Sequence, residues 1–261
     1  MIKKIINAFK KKIIRNISFF LILIIALDSL NNLHDKKKEI SLKIDNLIFN
    51  KANKNIKSDK YWAEEVVKGG YILHFRHTQR EKWNDVTGFD ALELSEKIKA
   101  ENSSFNKATC LTARGIEEAK LIKNIFENLN VQVSKVLSSP SCRARMTSKY
   151  AFGRIDQITN SLLHRTAMTP KQDIVMAKQL KKIILNLDVK KNKNIILSGH
   201  GGTIEDNYDG RKVIDTNNVG NLARDEGGFV IIEKKGNKLI AHHKFKNFSK
   251  FINSLVEFPI N

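Results

Sequence analysis

The chain has 261 residues, with 46 Lys or Arg against 27 Asp or Glu and a formal net charge of +19. That length holds one large α/β domain with an extension, or two small domains, and no internal repeat is visible. So basic a chain invites a nucleic-acid partner, but its lysines are scattered and it has no zinc-finger spacing, RNA-binding aromatic motif or basic heptad, so nucleic acid is set aside and the charge reads as a solvated surface with a weak attraction to anionic membranes or glycans.

At the N-terminus Lys3, Lys4, Lys10, Lys11, Lys12 and Arg15 precede an apolar run from Ile17 to Leu27. A basic region followed by an apolar one is the pattern of an export signal. Counting Ile13, Ile14 and Leu30, with Arg15 snorkelling, the run approaches the ~17 residues of a thin membrane crossing. No clear small-residue cleavage site follows, which favours an uncleaved signal anchor over residues 1–30; secretion after signal cleavage is the alternative. Positive charge stays cytoplasmic, so the remainder is expected on the outer, periplasmic or extracellular side. Residues 31–60, rich in Lys, Asn and Asp with Ile40, Leu42, Ile44, Leu47 and Ile48 interspersed, read as a linker or stalk. Residues 61–261 form the remaining domain.

Within that domain Tyr61–Val67 reads as a short helix, and Tyr71–Phe75 as a strand that stops on Arg76-His77-Thr78. Thr78 to Thr109 is a long polar insertion, of the kind that shapes access to a site. Ile116, Ala119, Leu121, Ile122, Ile125, Phe126 and Leu129 carry helical periodicity over Gly115–Asn128. Lys135–Leu137 is a second strand, after which Ser139-Pro140 opens a helix, with Ser as N-cap and Pro at the first position. Its N–H groups would favour an anion. Ile155–Leu163 reads as a third strand, and Thr169-Pro170-Lys171-Gln172 as the capping-box start of a helix that runs to about Leu187. Asn194–Ser198 is a fourth strand, followed by Gly199-His200-Gly201-Gly202. Phe229–Glu233 and Leu239–His243 flank Lys235-Gly236-Asn237 as a hairpin. The alternation predicts an α/β fold in three layers: a mostly parallel sheet with an antiparallel edge and helices on both faces, preceded by an N-terminal membrane helix.

Ligands of such sheets bind at the carboxyl ends of the strands. Here three strand ends deliver Arg76 and His77, Arg143, and His200: two guanidiniums and two imidazoles, a set suited to a phosphate dianion. The motifs Phe75-Arg76-His77-Thr78, Leu111-Thr112-Ala113-Arg114-Gly115, Ser139-Pro140-Ser141-Cys142-Arg143-Ala144 and Ser198-Gly199-His200-Gly201, in that order, resemble those of the histidine phosphatase superfamily, the phosphoglycerate-mutase-like fold. The resemblance covers about Tyr61 to Phe245. It implies that His77 is a nucleophile forming a phosphohistidine, while Arg76, Arg143 and His200 hold the phosphoryl oxygens. A protonated His200 would serve best. Thr78 and Thr112 are secondary candidates for phosphate contact or for capping. His74 reads as a packed strand residue, His242-His243 as hairpin surface, and His164-Arg165 as candidates to reach the pocket. No metal and no cofactor are expected, since two cysteines without CxxC spacing make no zinc site.

The leaving alkoxide calls for a general acid. The acid-phosphatase branch of the family has Asp directly after its second His, where this chain has Gly201. Mutase-like members have a Glu between the second Arg and the last His, and Tyr150–Lys193 contains none. The remaining candidates are Asp85, Asp90, Glu93, Glu205 and Glu226. A site without an acid would suit phosphoramidates or acyl phosphates, as in the small phosphohistidine phosphatases of the superfamily, and puts the mutase reaction in doubt. The cysteines, Cys110 and Cys142, adjoin two of the motifs and could pair in an oxidising compartment, as the resemblance to exported members supports; two unpaired thiols are the alternative. The expected function is phosphomonoester hydrolysis on a phosphorylated small molecule, a sugar phosphate or a surface-glycan or lipid-linked substrate outside the cytoplasm. A phosphohistidine or protein phosphatase, and a catalytically silent phosphate-binding module, are the alternatives.

Overall fold

The computed structural model describes residues 57–82, 109–165, 168–204, 212–216 and 219–256. The N-terminal apolar run and the stalk lie outside these residues, and no helix among the described residues is long and apolar enough to cross a membrane.

The helices are α1 (Asp59–Lys68), α2 (Ala113–Asn128), α3 (Cys142–Phe152), α4 (Pro170–Leu185) and α5 (Phe248–Leu255). The strands are β1 (Ile72–Arg76), β2 (Val133–Ser138), β3 (Gln157–Ile158), β4 (Asn194–Gly199), β5 (Phe229–Lys235) and β6 (Lys238–Phe245). They form one six-stranded sheet in the order β3-β2-β4-β1-β5-β6. The first four pair in parallel, while β5 and β6 run antiparallel. Successive strand residues point to opposite faces, and β1 shows the consequence. Leu73 and Phe75 enter one core, with Trp62 and Val66 of α1, Ile122 and Phe126 of α2, Ala151 of α3 and Phe251 of α5. Ile72 enters the other, with Ala177, Leu180 and Ile184 of α4. Both faces are therefore covered. The phenyl rings of Phe75, Phe229, Phe245 and Phe251 are buried completely or nearly so; each such side chain contributes about 1.5–3 kcal/mol.

Sequence signals explain the ends. Thr169 and Gln172 form a reciprocal capping box with Pro170 inside it, and Thr112 caps α2 by accepting from Gly115 N. Gly115 is required by contact: a Cβ there would overlap the Gln79 carbonyl. Asn194, at the start of β4, donates from Nδ2 to Val66 O at 2.7 Å and accepts from Tyr71 N at 3.2 Å, tying α1 and β1 to β4.

Three expectations need correction. The third strand is only Gln157–Ile158, followed by a 3-10 turn over Asn160–Leu162, because Thr159 caps that turn through Ser161 N. The helix after β2 begins at Cys142 with Ser141 at the N-cap position, not at Ser139-Pro140, because Ser139 N still bonds Ser198 O and prolongs the ladder. Helix α5 was not anticipated. Nor is His242 mere hairpin surface: it stacks on Trp62 at 4.9 Å and lies 2.8 Å from Glu233.

Cys110 and Cys142 are joined as a disulfide with Cα atoms 4.9 Å apart. The bridge fastens the segment before α2 to the first residue of α3. Reduction of the bond in the intact protein is expected to lower stability by about 2–4 kcal/mol. Urea unfolding with and without reductant, alongside intact mass, measures this; an unchanged midpoint after verified reduction would contradict it.

Candidate active site

Three adjacent parallel strands, β2, β4 and β1, end at the same edge. Two backbone bonds extend the pairing beyond the strands: His77 N donates to Gly199 O at 3.0 Å, and Ser139 N to Ser198 O at 2.8 Å. Arg76, His77, Arg143 and His200 thereby come together around a cavity of about 280 Å³, lined also by Arg80, His164, Gly201, Gly202, Ala223 and Arg224.

His77 is 3% exposed. Its Nδ1 lies 2.8 Å from the Thr78 carbonyl oxygen. A carbonyl only accepts, so Nδ1 carries the hydrogen and Nε2 keeps its lone pair. Burial first, then the Arg143 guanidinium, holds its pKa well below the usual imidazole range, against a raising contribution from the Thr78 bond. The ring is thus a neutral imidazole beside cations, with the lone pair of Nε2 available.

Arg143, 1% exposed in the first turn of α3, places Nη2 3.3 Å from His200 Nδ1. Guanidinium is a donor only, so Nδ1 accepts and the hydrogen of His200 sits on Nε2, which lies 3.2 Å from Ser139 Oγ and 3.1 Å from Ser141 Oγ. Burial and then Arg143 hold this imidazole neutral as well. The ring is thus neutral in the ligand-free cavity, and a bound dianion would draw a proton onto it, the state that would serve phosphate binding best.

Arg76, half-buried at the end of β1, donates from Nη1 to Arg224 O at 2.7 Å. Thr78 does not serve the cavity. Its hydroxyl donates to Gly115 O at 2.7 Å and its N–H to Thr147 Oγ1 at 3.1 Å, latching the post-β1 turn to α2 and α3. Thr112 is likewise a cap, with its hydroxyl 2.8 Å from Gln79 Oε1. Glu226 does not line the cavity; its Oε1 lies 3.7 Å from Arg76 Nη2 and 3.9 Å from Arg80 Nε, an ion-pair partner of both. Asp85, Asp90, Glu93 and Glu205 lie outside the described residues. Among the described residues no carboxylate lines the cavity, and no cluster of three or more His, Cys, Asp or Glu is arranged to hold a metal. Of the pair after β3, His164 lines the cavity while Arg165 turns away, its Nε 3.3 Å from the buried Asp173 carboxylate.

Two cavity arginines were missed in the sequence, Arg80 and Arg224. Arg224 is 4% exposed, donates to Leu222 O at 3.0 Å, and makes a short contact with Nδ1 of His74. His74, the apparent packing residue, therefore orients a cavity arginine, and burial and then Arg224 keep it neutral. The position of Arg224 follows from the sheet: β5 starts antiparallel beside the end of β1, with Phe229 opposite Phe75. Residues just before β5 must then fall at the same edge.

No family model matches this sequence, and no curated protein is similar to it. Among solved structures, the protein histidine phosphatase SixA complexed with tungstate is similar at 13% identity and a TM-score of 0.42, over 67% of this chain and 96% of that chain. A phosphoserine phosphatase from Entamoeba histolytica in complex with phosphoserine is similar at 14% identity and a TM-score of 0.42, over 67% of this chain and 95% of that chain. Similarity at this level does not carry the functional reading, which rests on the cavity.

The buried neutral histidines set a direction for stability against pH. His74, His77 and His200 have folded pKa values below their unfolded ones. Their full contribution is present above about pH 6.5, where both states are neutral. Below that pH the unfolded chain binds protons that the fold refuses, so stability falls by up to about 1.4 kcal/mol per pH unit for each such ring. Urea midpoints between about pH 8 and 5 test this; a midpoint that does not fall on acidification would refute it.

Proposed function

We propose that the protein is a phosphomonoester hydrolase of the histidine phosphatase type, with His77 as nucleophile. The observation that carries the reading is a buried imidazole with a free lone pair on Nε2, set among the guanidiniums of Arg76 and Arg143 at a shared strand edge. His77 Nε2 attacks phosphorus, the bond to the leaving oxygen breaks, and the phosphoryl group rests on the ring until water removes it. Arg76 and Arg143 are donor forks for the equatorial oxygens, whose charge is most of what such a transition state asks a protein to stabilise. His200 adds a further contact. The intact set argues against a silent binding module. Replacing His77 by Ala is expected to abolish hydrolysis of p-nitrophenyl phosphate and the acid-labile phosphoenzyme while leaving the unfolding midpoint measurable; a variant that keeps its activity would end the assignment.

The site is further proposed to work outside the cytoplasm. The basic and apolar N-terminal pattern supports this, and so does a buried disulfide, a bond that persists in oxidising compartments. Phosphorylated sugars of surface or lipid-linked glycans are the substrate class that such a location offers. A reporter fused to the C-terminus and functional only after export should be active; one that works only in the cytoplasm would place the domain on the other side.

A further inference from the structure

The cavity contains a residue that phosphate binding and nucleophilic attack leave without a task. His164 lines the same cavity as His77, Arg143 and His200, and its ring centroid is 5.4 Å from that of His200, as is the ring of His77. It is half-buried, whereas His77 and His200 are almost fully buried. The chain holds it firmly on both sides. Leu162 and Leu163 are buried before it, and Arg165 after it donates to Ser161 O at 2.8 Å and pairs with the buried Asp173. A short 3-10 turn anchored in the core thus presents one imidazole to the cavity.

An alkoxide leaving an alkyl phosphate is strongly basic and needs a proton as it departs, whereas a phenolate or an imidazole leaving group needs little help. Of the titratable groups lining the cavity among the described residues, arginines cannot give up a proton, His77 is assigned as the nucleophile, and His200, beside Arg143, is assigned to the phosphoryl oxygens. No described carboxylate lines it.

We propose that His164 is the proton donor to the leaving oxygen, and that the site therefore takes phosphate esters of ordinary alcohols rather than only phosphates with good leaving groups. The proposal rests on the reading of His77 as nucleophile. In the first step the lone pair of His77 Nε2 forms the N–P bond, the P–O electron pair stays on the leaving oxygen, and the His164 imidazolium passes its proton there, giving the alcohol. In the second step water attacks phosphorus, His164 takes a proton from that water, the P–N pair returns to His77, and hydrogen phosphate leaves. His164 ends protonated again and His77 neutral.

The test compares two substrates of opposite demand, p-nitrophenyl phosphate and glycerol phosphate, using the full chain in detergent. His164→Ala and His164→Gln are expected to lose about 10²-fold or more in kcat/KM on glycerol phosphate, and at least about tenfold less than that on p-nitrophenyl phosphate. The acid-labile phosphoenzyme formed from p-nitrophenyl phosphate should persist in both variants, which shows that they are folded. Equal losses on the two esters would overturn the proposal, as would an undiminished rate on glycerol phosphate. Wild-type protein that cleaves p-nitrophenyl phosphate alone would overturn it too. Wild-type protein that cleaves neither and forms no phosphohistidine would remove the phosphatase reading itself, and this proposal with it.

Discussion

The carboxyl end of β4, paired on both sides, is the constraint on which the rest of the site depends. Gly199 pairs with Arg76 on one flank and Ser198 with Ser138 on the other. The ladder then runs one bond further each way, to His77 N and Ser139 N. Parallel neighbours lie about 4.8 Å apart, so the residues that follow three such strands are forced into one small volume. A shift of one residue would send alternate side chains to the opposite face. That slip is resisted by the cores on both faces, since Leu73 and Phe75 fit only one of them and Ile72 the other. The geometry of the cavity is thus set by apolar packing some distance from it.

Electrostatics at the edge follow from that crowding. Arginines 76, 80, 143 and 224 line the cavity together with three histidines. Where burial and neighbouring guanidiniums act on one ring, they act in the same direction, so His74, His77 and His200 are all neutral. A neutral imidazole is what a nucleophile requires, and a field of fixed cations is what a phosphoryl group requires. The arrangement has a cost. His74 uses Nδ1 to receive Arg224, so its Nε2 carries a hydrogen that meets no acceptor among the described residues. An unsatisfied buried donor costs about 1–3 kcal/mol. The protein places that loss where it orients a cavity arginine through a strand side chain.

Some of this was legible in the residues and some was not. Strands β1, β2, β4, β5 and β6 were visible as short apolar runs, the α4 start as a Thr–Pro–Gln capping pattern, and the meeting of Arg76, His77, Arg143 and His200 as motifs on successive strand ends. Ser139-Pro140 was misread because a local capping preference competes with the β-ladder, and the bond from Ser139 N to Ser198 O wins. Thr78 could not be distinguished from a ligand-binding hydroxyl, because its partners, Gly115 O and Thr147, come from two distant helices. Arg224 was invisible for a related reason. Its place depends on β5 entering antiparallel next to β1, a long-range pairing that no local pattern announces.

The long insertion after β1 belongs to the same arrangement through its two ends. Glu81 N donates to Cys110 O at 3.0 Å, Thr112 N to Gln79 O at 3.1 Å, and Arg80 bridges to Leu111, so the segments on either side of residues 83–108 are zipped together. Arg80, in one arm of that stem, lines the cavity. The other arm carries Cys110, fastened to Cys142 at the start of α3, one residue before Arg143. Closing a loop costs little more as it lengthens, about 0.6 kcal/mol per doubling, so a stem secured in this way can carry an insertion of almost any length without disturbing the sheet. The bridge therefore does more than stabilise the fold. It fixes the root of the insertion to the helix that supplies the buried Arg143 guanidinium, so both the stem and that helix are held against the same cavity edge.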